Sequence, residues 1–346
     1  MADAATTRLN TEAIVQGILD SLTHDREREI ISRRFGLFDR KETLEQIGEL
    51  LGITRERVRQ LEKSVVARLK TATEQGDLKH MAEVELALSA KLESMGTVAR
   101  VSDLSAALTE ENSRTEQSRI AFLASLCPSL AVVEDNDHFF YAVGLHRVRD
   151  EKTIRATVGQ ILDAVKRMGK PASIEEIAGA VSIADSEQAR ALASISKDLA
   201  TLNGRWGLVK WPMVNPKNIR DKIYVILYEN GKHMHFNEIA ESIKASDFKR
   251  KDVTVQAIHN ELIKDKRFVL IGRGIYALKE WGYAKGTVAD IISEVLREAG
   301  EPLHRDEIVK RVLKSRFVKE TTILLNLQGK AQFKRVAKAT YILEQE

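Results

Sequence analysis

One stretch constrains this chain more than any other: residues 42–70, ETLEQIGELLGITRERVRQLEKSVVARLK. Two short helical patterns, 44–51 and 55–70, flank a corner made by Gly52, Ile53 and Thr54. Leu44, Ile47, Leu50 and Leu51 recur at helical spacing, so one face of the first pattern is apolar while Glu45, Gln46 and Glu49 face water. Gly52 relieves the corner, Thr54 supplies a hydroxyl N-cap, and Val58, Leu61, Val65 and Leu69 give the second pattern a single apolar stripe. That layout predicts a helix-turn-helix. Arg55, Glu56, Arg59 and Gln60 are left on the outer face of the second helix, in its first two turns. Side chains of these types form paired hydrogen bonds to base edges in a major groove.

The residues here also resemble a known family. RRFGL from Arg33, TLEQIG from Thr43 and LGITRERVRQLE from Leu51 are similar to region 4 of the sigma-70 family of bacterial transcription initiation factors, over roughly residues 10–73. The resemblance implies that the second helix reads a promoter element upstream of the start site, and that the domain docks on the flap of the RNA polymerase β subunit. Carried over by position, it implies base contacts by Arg55, Glu56, Arg59 and Gln60, and phosphate contacts by Arg34, Arg57 and Lys63. Sigma factors carry promoter-melting and core-binding regions ahead of region 4, whereas only a few tens of residues precede it here. The expectation is therefore a sigma-like protein that is not a complete sigma factor.

At 346 residues the chain is long enough for two or more compact units. No apolar run approaches the roughly 20 residues of a membrane span, and MADAATTRLN lacks the pattern of an export signal. The expectation is a cytoplasmic, nucleoid-associated protein. Cys127 is the single cysteine, which excludes an internal disulfide and a cysteine-rich zinc site, and reads as a small core residue. With 54 basic and 50 acidic residues the net charge is only +4, so its distribution matters more than its total. Residues 54–70 hold six basic against two acidic residues, and 313–340 hold seven against one. Both are candidate phosphate-binding faces. Residues 102–137 reverse the sign, with seven acidic residues against Arg114 and Arg119, and should avoid DNA.

Beyond residue 75 the chain repeats itself. Segments starting at Gly96, Gly169, Gly231 and Gly300 share one plan: a glycine closing a helix, a short extended link, then a new helix with an acidic residue before an aliphatic one. A third helix and an aromatic-rich hairpin signal follow, most clearly in RFVLIGRGIYAL from Arg267 and QFKRVAKATYIL from Gln332. Four copies of one winged-helix-like domain are expected. The last two, through GEPLHRDEI and GRGIYAL, also resemble the HARE-HTH family, winged helices found in the RNA polymerase delta subunit and in some chromatin and restriction proteins. The predicted fold is mainly α: a helix-turn-helix domain at 1–75, then a tandem array of small α+β winged helices at 76–150, 151–213, 214–281 and 282–346. Linkers are expected near 149–152, 211–217 and 281–285.

The wings differ in charge. Glu134, Asp135 and Asp137 would make the first repel phosphate and suit it to protein contacts. Arg267 and Arg273 in the third, and Lys334, Arg335 and Lys338 in the last, are secondary nucleic-acid candidates. The alternative is that all four copies are packing modules with solvated lysines. No phosphate-cradling P-loop or catalytic constellation is found, His233 and His235 lack partner ligands, and no cofactor or metal is expected. Three functions stand beside one another: a DNA-binding transcription regulator acting on double-stranded promoter-like DNA, an RNA polymerase-associated or anti-sigma-like adaptor on the β flap, and a DNA-recognition accessory of a nuclease or defence system. An enzyme is not expected.

Overall fold

A computed structural model describes residues 8–283 and 286–344. Residues 284 and 285 of the expected linker at 281–285, the first seven residues of the chain and its last two lie outside the described residues. The chain divides into two compact units, Met1–Lys210 and Trp211–Glu346.

The first unit opens with four helices, α1 (Thr11–Asp20), α2 (Asp25–Phe35), α3 (Leu44–Leu51) and α4 (Arg55–Gln75). α3 and α4 are the predicted pair. Thr43 and Gln46 form a capping box that starts α3, and Thr54 Oγ1 accepts from the Arg57 N–H at 3.2 Å to start α4. Gly52 closes α3 at φ 65°, a left-handed turn that a side chain would strain. Gly48 matters for a different reason: a Cβ there would lie 2.7 Å from the Ile53 carbonyl, so the corner closes only over bare backbone. Ile30, Ile47 and Val58 are buried together as a small core, packed by Leu44, Leu51, Ile53 and Leu61.

Further along α4, Val65 and Leu69 belong to a second and larger core. That core takes in Val15, Ile18 and Leu19 of α1 and runs on through α5 (Met81–Ser94), α6 (Val101–Leu108) and α7 (Arg114–Leu126) to the strands β1 (Val98–Arg100), β2 (Leu130–Val133) and β3 (Ala142–Leu145). The core therefore does not break at residue 75. The turn at Gln75, Gly76 and Asp77 ends a helix, but Leu78, Met81 and Val84 immediately rejoin the same apolar interior. The buried Arg119 of α7 fastens this junction. Its Nε donates to the Leu37 carbonyl at 2.8 Å, Nη1 to Glu116 at 3.0 Å and Nη2 to Glu12 of α1 at 2.8 Å.

The unit ends with α8 (Glu151–Met168), β4 (Ala172–Ser173), α9 (Ile174–Ala180), α10 (Ser186–Ser194), β5 (Leu199–Leu202) and β6 (Arg205–Leu208). α8 begins seven residues before the apolar pattern at Val158, because Asp150 caps the Thr153 N–H at 2.8 Å and Ile154 extends the buried stripe.

The second unit repeats the same element order twice. First come α11 (Ile219–Asn230), β7 (Met234–His235), α12 (Phe236–Ala245), α13 (Val255–Lys264), β8 (Phe268–Gly272) and β9 (Ile275–Leu278). Then follow α14 (Val288–Ala299), β10 (Leu303–His304), α15 (Arg305–Ser315), α16 (Glu320–Gly329), β11 (Phe333–Ala337) and β12 (Thr340–Leu343). Each of the four sheets is antiparallel, with the last strand of its set in the centre: β1-β3-β2, β4-β6-β5, β7-β9-β8 and β10-β12-β11. The short extended links of the sequence are the first edge strands of these sheets. A mainly helical chain with small three-stranded sheets of this order is compatible with a helix-turn-helix and winged-helix domains.

Gly48→Ala sets two effects against each other. Helix propensity favours alanine by about 1 kcal/mol, while overpacking against fixed backbone costs roughly 1–3 kcal/mol. Because the close atom is a main-chain carbonyl that cannot swing away, destabilisation should win. The midpoint of urea unfolding, followed by circular dichroism on the full chain, is expected to fall; an unchanged or higher midpoint would contradict the closeness of the corner.

Candidate nucleic-acid interface

The amphipathicity of α4 decides which of its residues are available. Val58, Val65 and Leu69 are buried, so the helical repeat turns Arg55, Glu56, Arg59, Gln60 and Lys63 outward, and all five are exposed. Arg57 is exposed as well. Four of these side chains form one surface network on Glu56. The Arg59 guanidinium meets that carboxylate with two bonds, Nε to Oε2 at 2.9 Å and Nη2 to Oε1 at 2.7 Å. Gln60 Nε2 donates to Glu56 Oε1 at 3.4 Å, and Arg57 Nη1 reaches Gln60 Oε1 at 3.5 Å. The Arg59 bonds hold the Glu56 carboxyl below the usual carboxylate range, and Glu56 in turn raises Arg59. Both charges are therefore fixed at neutral pH. Arg55 Nη1 pairs across the corner with Glu45 of α3 at 2.8 Å.

Arg34 is placed differently from the other expected phosphate contacts. It is half-buried, with Nε 3.2 Å from Glu62 of α4 and Nη1 3.4 Å from the Glu42 carbonyl, so it ties α2 to the helix pair. Lys63 is exposed on the outer face of α4. The acidic partners Glu42, Glu45 and Glu62 did not emerge from the sequence as members of this site. The Thr43 and Gln46 capping box had a readable signal, threonine followed three residues later by glutamine.

The secondary candidates fall into two groups. Arg267 is engaged within its own unit: it bonds Asp265 at 2.7 Å and Asp221 at 3.2 Å, and its guanidinium lies 5.3 Å from the Tyr224 ring centroid. Arg273, Lys334, Arg335 and Lys338 are exposed on the hairpins. Lys334 reaches Glu344 at 3.3 Å, and Arg335 Nε donates to the Ala337 carbonyl at 3.1 Å. The acidic turn after β2 meets its own chain. Lys197 Nζ sits 3.0 Å from Asp135, His138 Nδ1 lies 2.8 Å from Asp198, and Phe139 bridges to Ser196. His235 accepts from the Asn237 N–H at 3.3 Å through Nδ1, which makes it a helix cap, while the His233 ring packs 4.3 Å from that of Phe317. Burial pushes the Cys127 thiol up to about 12, so it is inert core.

Comparison with known proteins agrees with this geometry over one part of the chain. Residues 18–71 match the family model for sigma-70, region 4. The RNA polymerase sigma factor SigA of a Bacillus species is 41% identical over 83 residues, which is 24% of this chain and 22% of that protein. SigA of Listeria monocytogenes is 41% identical over 70 residues, 20% of this chain and 18% of its own. The sigma factor RpoD of Helicobacter pylori is 44% identical over 66 residues, 18% of this chain and 10% of that protein. The chain thus spans about a fifth or less of the length of these relatives. It carries a sigma-70 region 4-type helix-turn-helix domain, and the match says nothing of the residues beyond it. Among the described residues no helix is long and apolar enough to cross a membrane.

Arg267→Ala should act on stability. It would leave the largely buried Asp221 and Asp265 carboxylates without their cation, which costs on the order of 1 kcal/mol after allowing for solvent screening of the arginine. Arg267 holds Asp265 below the ordinary aspartate range. The stabilisation is thus complete above the unfolded value, about pH 4, and lost as pH falls through the lower folded value. The thermal midpoint of the variant is expected to drop at pH 7 and to converge on that of the parent in strong acid. Arg273→Ala, on the exposed hairpin, should leave it unchanged.

Proposed function

We propose that this protein is a DNA-binding transcription regulator without catalytic activity, whose sigma-like helix-turn-helix reads a promoter-type upstream element. The observation that carries the reading is the pairing of a region 4 match with an intact outer face on α4, where Arg55, Glu56, Arg59 and Gln60 stand exposed together. On this reading Arg55, Glu56, Arg59 and Gln60 contact bases, and Arg34, Arg57 and Lys63 contact phosphates. The exposed cations Arg273, Lys334, Arg335 and Lys338 add sequence-independent contacts. Arg267, committed to Asp221 and Asp265, contributes by holding its wing in shape. The same domain engages RNA polymerase, with the β-subunit flap as its docking point, and the protein works on the cytoplasmic nucleoid. The last two three-helix, three-strand sets serve as HARE-HTH-like winged helices.

A second reading has an observation of its own. Arg59 and Gln60 on the outer face of α4 are already engaged by Glu56, as suits an adaptor that occupies the β flap without reading sequence.

Fluorescence anisotropy of the full chain on a duplex bearing the upstream element and on a scrambled duplex, at two salt concentrations, separates the two. Arg59→Ala is expected to cost about 1–3 kcal/mol on the element and little on the scrambled duplex. Lys63→Ala should weaken both alike and reduce the salt slope by about one counterion. Equal losses on both duplexes from Arg59→Ala would remove base reading. Binding to an isolated β flap without any sequence preference would then favour the adaptor.

A further inference from the structure

A cavity of about 820 Å³ lies within the first unit, between the loop that joins α2 to α3 and the N-terminal ends of α6 and α7. Four cations line it: Arg40, Lys41, Arg100 and Arg114. Among the described residues none of the four pairs with a carboxylate; Arg57 and Lys63 of the same unit share that, but on the outer face of α4, whereas these four line one cavity. Two carboxylates also face the cavity. Asp135 is taken by Lys197 at 3.0 Å, and Asp39 lies on the exposed loop.

Two of the cations have neutral partners. Arg100 Nε donates to the Ser194 carbonyl at 2.5 Å while its guanidinium lies 4.2 Å from the centroid of the Phe140 ring. Lys41 Nζ is 5.6 Å from the Tyr141 ring centroid. Desolvation, reinforced by Arg34 nearby, holds Lys41 below the usual lysine range against the opposing pull of Asp135 and Glu134. A concave surface crowded with cations and short of counter-charge favours a bound anion.

Size and aromatic content narrow the choice. A single phosphate would leave most of the space empty, since cavities of roughly 300–1,000 Å³ suit drug-sized molecules. Phe38 lines the cavity and is 41% exposed, with Arg119 5.4 Å from its ring centroid, so it offers an accessible aromatic surface for stacking.

We propose that this cavity binds a nucleoside polyphosphate, with its phosphates among Arg40, Lys41, Arg100 and Arg114 and its base on Phe38. Such a ligand would bridge the loop that leads into α3 and the ends of α6 and α7. This site is independent of the promoter reading and needs no DNA for its detection.

Isothermal titration of the full chain with ATP, GTP, inorganic triphosphate and adenosine tests it. At least one nucleotide should bind with one-to-one stoichiometry and adenosine weakly or not at all. Inorganic triphosphate should bind about tenfold more weakly, the contribution of one base stacked on an aromatic ring. Phe38→Ala should remove that difference while sparing triphosphate. Lys41→Ala with Arg114→Ala should weaken nucleotide and triphosphate by about tenfold or more, with circular dichroism unchanged because neither side chain belongs to the buried core. Lys170→Ala, outside the cavity, should change neither.

Failure of both ATP and GTP to bind, or equal losses from Lys170→Ala, would overturn the site. Triphosphate binding as tightly as the nucleotides, with Phe38→Ala silent, would overturn the nucleoside assignment. If the cavity variants weaken duplex binding and spare nucleotide binding, the four cations belong to DNA instead.

Discussion

The architecture of the first unit depends on one helix serving two cores. α4 is 21 residues long, and its apolar stripe is continuous, but the partners change along it. Val58 closes the small helix-turn-helix core against Ile30 and Ile47, while Val65 and Leu69 enter the larger core that reaches Leu145. Each fully buried aliphatic side chain of this kind contributes on the order of 1.5–3 kcal/mol. Fraying α4 in the middle would therefore cost burial in both cores at once. The outer face of its first two turns is consequently carried on a rigid element anchored well beyond the helix-turn-helix itself. A side chain offered from such an element is placed more precisely than one offered from a loop.

Arg119 shows what an apolar core alone would leave loose. It bonds Glu12, Glu116 and the Leu37 carbonyl, and so joins α1, α7 and the loop after α2 at one point. Read along the chain, Arg119 was one of two cations in an acidic stretch, with nothing to mark it as buried. Its partners lie 107, 3 and 82 residues away, and only folding brings them together. The same cause explains the boundary expected at residue 75. Gln75, Gly76 and Asp77 are a good helix stop, and a helix stop is a local event. Whether a domain also stops depends on where Leu78, Met81 and Val84 find their partners, which is not local.

What the sequence made legible was the part governed by short-range rules. Both helices of the helix-turn-helix, the Thr54 cap, the Gly52 corner and the hairpins at 267–278 and 332–343 follow from periodicity and turn chemistry within a few residues. Exposure of Arg55, Glu56, Arg59 and Gln60 followed from the same periodicity. The same spacing places Glu56 beside Arg59 and Gln60, whereas the partner of Arg55, Glu45, lies on α3. Arg267 looked like a free wing cation although Asp265 stands two residues before it, and its other partner, Asp221, lies 46 residues upstream on another element. The acidic residues of the β2–β3 turn looked repulsive to phosphate, and one of them, Asp135, is answered by Lys197, 62 residues on. Charge sign is written locally, but only part of its compensation is: Arg59–Glu56 and Arg267–Asp265 are neighbours in sequence, whereas Arg267–Asp221 and Lys197–Asp135 exist only in the fold.

That distinction bears on how α4 would discriminate among sequences. Arg57 and Lys63 have no carboxylate partner among the described residues, so they can meet phosphates on any duplex without first giving up an ion pair. Arg59 starts from two bonds to Glu56, and Gln60 from one. To turn toward a base, Arg59 must exchange a bidentate carboxylate for an acceptor pair of similar geometry, such as guanine O6 and N7. A base that offers only one acceptor, or a donor, leaves that exchange unfavourable. On the proposed reading Glu56, besides contacting a base itself, would be an internal competitor for Arg59: it would weaken binding to every sequence somewhat and to the wrong ones most, which is how specificity arises from a difference in affinities.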